Sequence, residues 1–326
     1  MEGILVTGGA GFIGSHLCER LLGDGRRVVA LDNFDPFYDR EVKRRNLEAA
    51  ARSPRFRFVE GDIRDGAALD GILASERIDA VVHLAARAGV RPSLRDPVGY
   101  ADVNVTGTVS VLEACRRRGT RRLVFGSSSS VYGNNGKVPF SEDDPVDEPV
   151  SPYAATKKAG ERLVATYHHL YGLDAACLRF FTVYGPRQRP EMAIHAFARK
   201  IAAGEEIEVY GDGSTARDYT YVDDIVEGIV RSLDRCRGHR IWNLGGSRTT
   251  KLSDLVEKIA RGLGATARVR TLPAQPGDVE RTWADIARAK RELEWEPTTD
   301  LDAGIGRFLA WLAAQPAERA GTGGAR

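Results

Sequence analysis

Cysteine is scarce, with four in 326 residues at Cys18, Cys115, Cys177 and Cys236. Their wide separation offers no metal-ligand pair and no disulfide framework. They read as reduced packing residues of a cytoplasmic protein, and no metal site is expected. No stretch approaches the roughly 18 consecutive apolar residues of a membrane span. The opening Met1-Glu2-Gly3-Ile4-Leu5-Val6-Thr7-Gly8 has no charged segment ahead of an apolar core, which argues against a signal peptide. Charge of one sign is also lacking: 47 Lys plus Arg against 45 Asp plus Glu leave a net +2. That balance provides no broad basic face for nucleic acid or an acidic membrane, although local arginine sites for anions remain open. No internal repeat is visible.

Hydrophobic residues at 42% and charged residues at 28% are the proportions of an ordinary globular protein. The length suits one large α/β domain and a smaller one. Short apolar runs at Ile4–Thr7, Val28–Asp32, Phe56–Glu60, Ala80–Leu84 and Leu123–Gly126 read as strands buried on both faces. Helix-period patterns at Phe12–Leu22, Ala67–Ala74 and Val98–Arg118 separate them. Strand and helix in alternation predict a doubly wound parallel sheet, because parallel neighbours need crossovers. Ala175–Phe180 and Ile241–Leu244 read as further strands of that sheet.

The second half is less regular. Helices are expected around Ala193–Ala203, Lys251–Leu263, Asp285–Glu292 and Leu301–Ala313, and a short strand at Ile207–Tyr210. The expected architecture is α/β, a Rossmann-type doubly wound parallel sheet with a smaller α+β C-terminal substrate domain. Its boundaries are 1–180 for the sheet domain, with 222–246 returning to it, and 181–221 plus 247–313 for the smaller one. Residues 314–326, rich in Gly, Ala, Pro and charge, read as a disordered tail.

Thr7-Gly8-Gly9-Ala10-Gly11-Phe12-Ile13-Gly14 puts Gly8, Gly11 and Gly14 between a strand and a helix. Absent side chains let the backbone turn sharply and approach a pyrophosphate, and the helix N-terminus supplies free N–H groups. Asp32 closes the second strand, where a carboxylate accepts from both ribose hydroxyls of adenosine and repels a 2′-phosphate. No arginine follows directly, so NAD rather than NADP is expected. Asp62, ending the third strand, suits an adenine-edge contact, and capping of the next helix explains it equally well.

Tyr153 and Lys157 stand at i and i+4 on a helix begun by Ser151-Pro152. A phenol with a pKa near ~10 becomes a usable base only beside positive charge, which an ammonium and a nicotinamide cation supply. Ser127-Ser128-Ser129-Ser130 follow a strand, at the carboxyl edge where open sheets bind ligands.

With these pieces the sequence resembles the extended short-chain dehydrogenase/reductases, and among them the nucleotide-sugar epimerases. The matching segments also include His83-Leu84-Ala85-Ala86, Arg179–Gly185, Arg217-Asp218-Tyr219 and Gly277-Asp278. The resemblance implies Tyr153 as general base and acid. It implies Lys157 as the group that lowers the Tyr153 pKa and holds the nicotinamide ribose, and Ser128 as a hydrogen-bond partner of the reacting 4-hydroxyl. Phe12, Ile13, Asn33, Ile63, Leu84, Ala85, Ala86, Asn104, Ser127 and Phe180 would complete the cofactor site. The implied chemistry is inversion at C4 through a transient 4-keto sugar, with no net cofactor turnover.

Related 4,6-dehydratases and uronate decarboxylases carry acids just after the catalytic hydroxyl, where this chain has Ser129 and Ser130. Within the epimerases, Ala85–Arg91, Pro149–Ser151, Arg179–Pro186 and Gln275–Asp278 look most like UDP-glucuronate 4-epimerases. Ser129, Ser130 and Thr182 offer hydroxyls for a C6 carboxylate. Arg91 could be its charged partner or could equally form a surface ion pair. Arg87 stands where that group has glutamine, so a different pocket charge is expected. Arg189, Arg217, Tyr210 and Asp278 would hold the UDP portion, arginine suiting a diphosphate through paired donors. Thr282, small where related epimerases limit C2 substituents, keeps UDP-GlcNAc/UDP-GalNAc open, with UDP-glucose/UDP-galactose beside it. The resemblance also implies a homodimer through the helices near Val98 and Tyr153.

Overall fold

The computed structural model describes residues 3–273 and 279–315. The first half runs β1 Gly3–Thr7, α1 Phe12–Gly23, β2 Arg27–Asp32, α2 Arg40–Leu47, β3 Phe56–Glu60, α3 Gly66–Ser75 and β4 Ala80–His83. It continues through α4 Val90–Arg95, α5 Pro97–Ala101, a π-helical turn at Asp102–Thr106, α6 Gly107–Arg118, β5 Arg122–Ser128 and α7 Pro152–Tyr171. Then follow β6 Asp174–Phe180, β7 Thr182–Tyr184, α8 Ala193–Ala202, β8 Glu206–Tyr210, β9 Ala216–Arg217, β10 Tyr219–Tyr221 and α9 Val222–Arg235. The last elements are β11 His239–Leu244, β12 Thr250–Lys251, α10 Leu252–Gly262, β13 Arg268–Leu272, α11 Ala287–Leu293 and α12 Leu301–Ala313.

Seven strands form one sheet in the order β11-β6-β5-β4-β1-β2-β3, and every pair in it is parallel. The period of two along each strand feeds two cores. Ile4, Val6, Val28, Ala30 and Val124 face α1 and α9, packing on Leu17, Leu21, Ile225 and Ile229. Leu5, Val29, Leu31, Leu123 and Phe125 face the other way, onto Leu69, Val111, Leu112 and Val164 of α3, α6 and α7. Truncating any of these wholly buried leucines to alanine costs about 2–5 kcal/mol.

β3 departs from the expectation of burial on both faces. It ends the sheet with one neighbour only, and Phe56, Phe58 and Val59 are half-buried while Arg57 and Glu60 are exposed. The helix expected as Val98–Arg118 begins at Pro97 and is interrupted by the π-helical turn. Three two-stranded ribbons, β10 with β7, β12 with β9 and β13 with β8, lie outside the main sheet with α8, α10 and α12. The Asp218 carboxylate ties them to it by accepting from the Gly246 and Ala284 N–H groups.

β1 and β4 are neighbours, yet from β1 the chain first runs outward through β2 and β3 and then returns to β4 on the other side. This reversal opens a crevice at the carboxyl ends of the strands, the general ligand position of such sheets. The segment expected as a disordered tail is outside the described residues apart from Ala314 and Gln315, as is Asp278.

Candidate active site

A cavity of about 540 Å³ occupies that crevice. At one end the glycine turn forms its floor. Gly8 has φ +72°, and a Cβ there would sit 2.8 Å from the Ala85 nitrogen. A Cβ on Gly14 would come within 2.1 Å of the Gly8 carbonyl oxygen, so α1 could not pack this close with any other residue. Helix α1 has no side-chain cap and no acid in its first turn, leaving free N–H groups at its start. A backbone cradle with exposed donors fits a pyrophosphate.

Asp32 is buried beside this cradle, accepting from the Ala10 N–H at 3.2 Å and the Phe34 N–H at 2.9 Å. Burial pushes its carboxyl pKa up, and Lys43 with those two N–H groups pulls it down. Asn33 donates to Asp62 at 2.9 Å, and Arg64 forks onto the same carboxylate, which sits at about 2 because of these bonds. The cap of α3 is Asp65, not Asp62, so the capping explanation for Asp62 is withdrawn. Gly8, Gly11, Phe12, Ile13, Asp32, Asn33, Asp62, Ile63, Leu84, Ala85 and Ala86 all line this end.

At the other end, β5 runs on through Ser128, and Ser129–Tyr132 form one 3-10 turn. Helix α7 starts where expected, with the Ser151 hydroxyl capping the Ala154 N–H and Pro152 in its first turn. Tyr153 and Lys157 therefore project from one face into the cavity, opposite Ser127, Ser128, Ser129, Ser130, Phe180 and Thr182. Burial raises the Tyr153 phenol, while a hydrogen bond with Ser128 and the Arg189 charge lower it. The Lys157 ammonium donates to the Gly126 carbonyl at 2.7 Å. Burial lowers it to about 8, against the pull of Glu161, so it remains a cation at neutral pH. The Ser130 hydroxyl is buried without a hydrogen-bond partner among the described residues.

Some expected contacts are not brought to the cavity. Arg91 is exposed and its guanidinium stacks on the Tyr210 ring at 4.6 Å, and neither is part of the wall among the described residues. Asn104 is buried in the π-helical turn and also sits behind the wall. It accepts from the Arg87 N–H, donates to the Arg87 carbonyl and bonds Thr156, clamping the 85–90 loop to α7. Arg87 does line the cavity, but its guanidinium is engaged by Asp35 and Asp96, so the extra charge is neutralised within the chain. Arg189 and Arg217 reach the cavity, and Thr282 stands beside them, its hydroxyl accepting from the Asp218 N–H.

Two residues escaped the sequence reading. Glu161, one turn beyond Lys157, accepts from the Ser127 hydroxyl at 2.7 Å and from Arg179 through two 2.9 Å bonds. It anchors the serine-bearing strand end to the helix that carries Tyr153. Lys43 lines the cavity with its ammonium 3.8 Å from Asp32. The extension of the Tyr153-Lys157 spacing by four would have found the first, whereas the second lies on a helix too polar for the hydrophobic period to reveal.

A sequence model of the NAD dependent epimerase/dehydratase family matches residues 4–245. The chain belongs to that family. A UDP-glucuronate 4-epimerase of Thermodesulfobacterium geofontis is 45% identical over 308 residues, covering 94% of this chain and 95% of that protein. The structure of the UDP-glucuronic acid 4-epimerase from Bacillus cereus, in complex with UDP-glucuronic acid and NAD, superposes with a TM-score of 0.90. Its identity is 37%, covering 95% of this chain and 99% of the other. A dTDP-glucose 4,6-dehydratase from Streptomyces venezuelae with NAD bound also reaches a TM-score of 0.90, at 34% identity over 95% and 97% of the two chains. Fold likeness therefore does not separate epimerase from dehydratase within the family, and the wall chemistry must.

Proposed function

We infer that this family member is an NAD-dependent UDP-sugar 4-epimerase that interconverts UDP-glucuronate and UDP-galacturonate. The observation that carries the choice is the wall around Tyr153. Among the described residues the acids lining the cavity are Asp32, Asp35 and Asp62, at the Lys43 and Asn33 end, and the Tyr153 end carries hydroxyls and cations but no acid. Dehydration at C5 and C6 needs an acid/base pair that this end lacks. A C6 carboxylate, by contrast, can be held by hydroxyl donors, and Ser129, Ser130 and Thr182 line the cavity. The identity to curated UDP-glucuronate 4-epimerases supports the same substrate.

When bound, NAD would supply one chemistry, the uptake and return of the C4 hydrogen with its electron pair. The glycine turn and free α1 N–H groups would hold its pyrophosphate and Asp32 its adenosine ribose. Tyr153 takes the proton of the C4 hydroxyl, with Ser128 holding that oxygen. The Lys157 cation stabilises the phenolate that performs this step. Once the 4-keto sugar has turned over in the cavity to present the other face of C4, Tyr153 returns the proton to the C4 oxygen. Arg189 and Arg217 are the donors for the diphosphate.

The division into a dinucleotide domain (1–180 with 222–246) and a UDP-sugar domain (181–221 with 247–313) belongs to the same reading, as does a homodimer. A cytoplasmic location is supported by four buried, unpaired cysteines, and no described helix is long and apolar enough to cross a membrane. Thr282, small and at the cavity wall, favours UDP-GlcNAc/UDP-GalNAc as the second reading. Proton NMR of purified protein with UDP-glucuronate tests the assignment through the anomeric signals, first without and then with added NAD. Formation of UDP-galacturonate supports it. Silence with both, together with turnover of UDP-GlcNAc or UDP-glucose, moves the enzyme to the other substrate and leaves the mechanism standing.

A further inference from the structure

The dinucleotide end of the cavity contains a cation that the epimerase chemistry does not use. Helix α2 carries Arg40, Lys43, Arg44 and Arg45, and Lys43 is the one that lines the cavity. The helix period explains the selection. Lys43, Asn46 and Leu47 share the inward face, and the Asn46 amide donates to the Ala10 carbonyl, fastening α2 against the glycine turn. Arg40 and Arg44 point outward and pair with Glu60 and Glu41. The side chain of Lys43 is 7% exposed. Its ammonium donates to the Asp35 carbonyl at 3.0 Å and lies over the Tyr38 ring at 4.9 Å. The Asp32 carboxylate, at 3.8 Å, is near enough to neutralise the charge and too far for a hydrogen bond. An ammonium has three donors, so this geometry leaves donors toward the cavity.

We propose that Lys43 is a second determinant of cofactor choice: it serves the adenosine ribose together with Asp32, and it becomes the anchor for a 2′-phosphate once the Asp32 charge is removed. The preference for NAD then lies in the pair rather than in Asp32 alone. The carboxylate repels a 2′-phosphate and cancels a neighbouring buried cation that would attract it. This inference rests on the reading of the cavity as an NAD site.

The test uses wild type, Asp32→Asn, Lys43→Met and the double variant, each equilibrated with equal NAD and NADP, desalted and denatured. The released nucleotides are then quantified by chromatography. Wild type should release NAD. Asp32→Asn keeps an acceptor oxygen for one of the two neighbouring N–H groups and should raise the bound NADP:NAD ratio by at least about tenfold, the scale of a charge-assisted phosphate contact. The double variant should lose that gain, and Lys43→Met alone should retain less NAD without acquiring NADP. An unchanged ratio in Asp32→Asn, or a double variant that takes NADP as readily, overturns the proposal. Wild type releasing neither nucleotide overturns the NAD reading itself, and the proposal with it. Should Asp32→Asn fail to fold, Asp32→Ser with and without Lys43→Met makes the same comparison, read by the rise in melting temperature on adding NADP.

Discussion

Tyr153 is held by burial in the state a base must leave, since a dry phenol resists ionisation. What opposes this is local: the Ser128 hydroxyl and the Arg189 charge. One turn along, burial lowers the Lys157 ammonium to about 8 against the pull of Glu161. Tyr153→Phe removes the proton acceptor without touching the diphosphate contacts. It should lower kcat by about 10²–10⁴-fold with binding of UDP-glucuronate retained, as checked by NMR progress curves and calorimetry. A loss of binding in step with rate would instead assign Tyr153 to ground-state recognition. We propose that the Ser130 hydroxyl carries the substrate choice: it is buried, has no hydrogen-bond partner among the described residues and lies on the cavity wall. Ser130→Ala should raise KM for UDP-glucuronate by about tenfold, the order of one hydrogen bond to a charged group, while any turnover of UDP-glucose is unchanged. Equal effects on both substrates would place the C6 group elsewhere.

Between elements, legibility followed the strength of the local pattern. The central strands were readable because both faces are buried and the apolar run is continuous. β3 was readable as a strand but not as an edge, since exposure depends on a neighbour that sequence does not name. Helix α2 was missed because Arg-Glu-Val-Lys-Arg-Arg-Asn-Leu is almost wholly polar. Its inward face is made of Lys43, Asn46 and Leu47, and the hydrophobic period counts only the last of these. The helix of Tyr153 and Lys157 and the serine-bearing strand end were legible from spacing and order, while their roles came from resemblance; Arg91, Tyr210 and Asn104 were placed by resemblance too, and sit behind or beside the wall. Asp218 shows what such reasoning leaves out: it joins three chain segments, and burial pushes its carboxyl up to about 7. An unfolded aspartate titrates near ~3.9. The folded state therefore holds a proton that the unfolded chain releases, and its stability falls as pH rises from about 4 to about 7, then levels. Asp218→Asn cannot titrate. The melting temperature of wild type minus that of the variant should accordingly drop by on the order of 5 °C across that window, measured calorimetrically. A difference flat with pH would mean that the backbone N–H donors keep the carboxylate ionised throughout.

For the whole molecule the open surface is as informative as the core. Val98 is 77% exposed and Leu94 49%, both on the short helices α4 and α5 that pack beside α7. Large apolar side chains left exposed on two adjacent helices are surface that association would cover. The same helices lead into the π-helical turn where Asn104 clamps the 85–90 loop, so a partner seated there would stiffen the wall of the cavity. The proposed homodimer thus predicts a coupling between assembly and catalysis. Light scattering should give a mass near twice 35.6 kDa for the wild type. Val98→Glu places a charge on that surface while leaving the core intact. It should shift the protein toward monomer and lower kcat, without lowering the melting transition at the same protein concentration by more than the lost association accounts for. A wild-type monomer would remove the dimer from the proposal. A dimer undisturbed by Val98→Glu would move its interface to another face, and the Asn104 clamp would then have to hold the loop unaided.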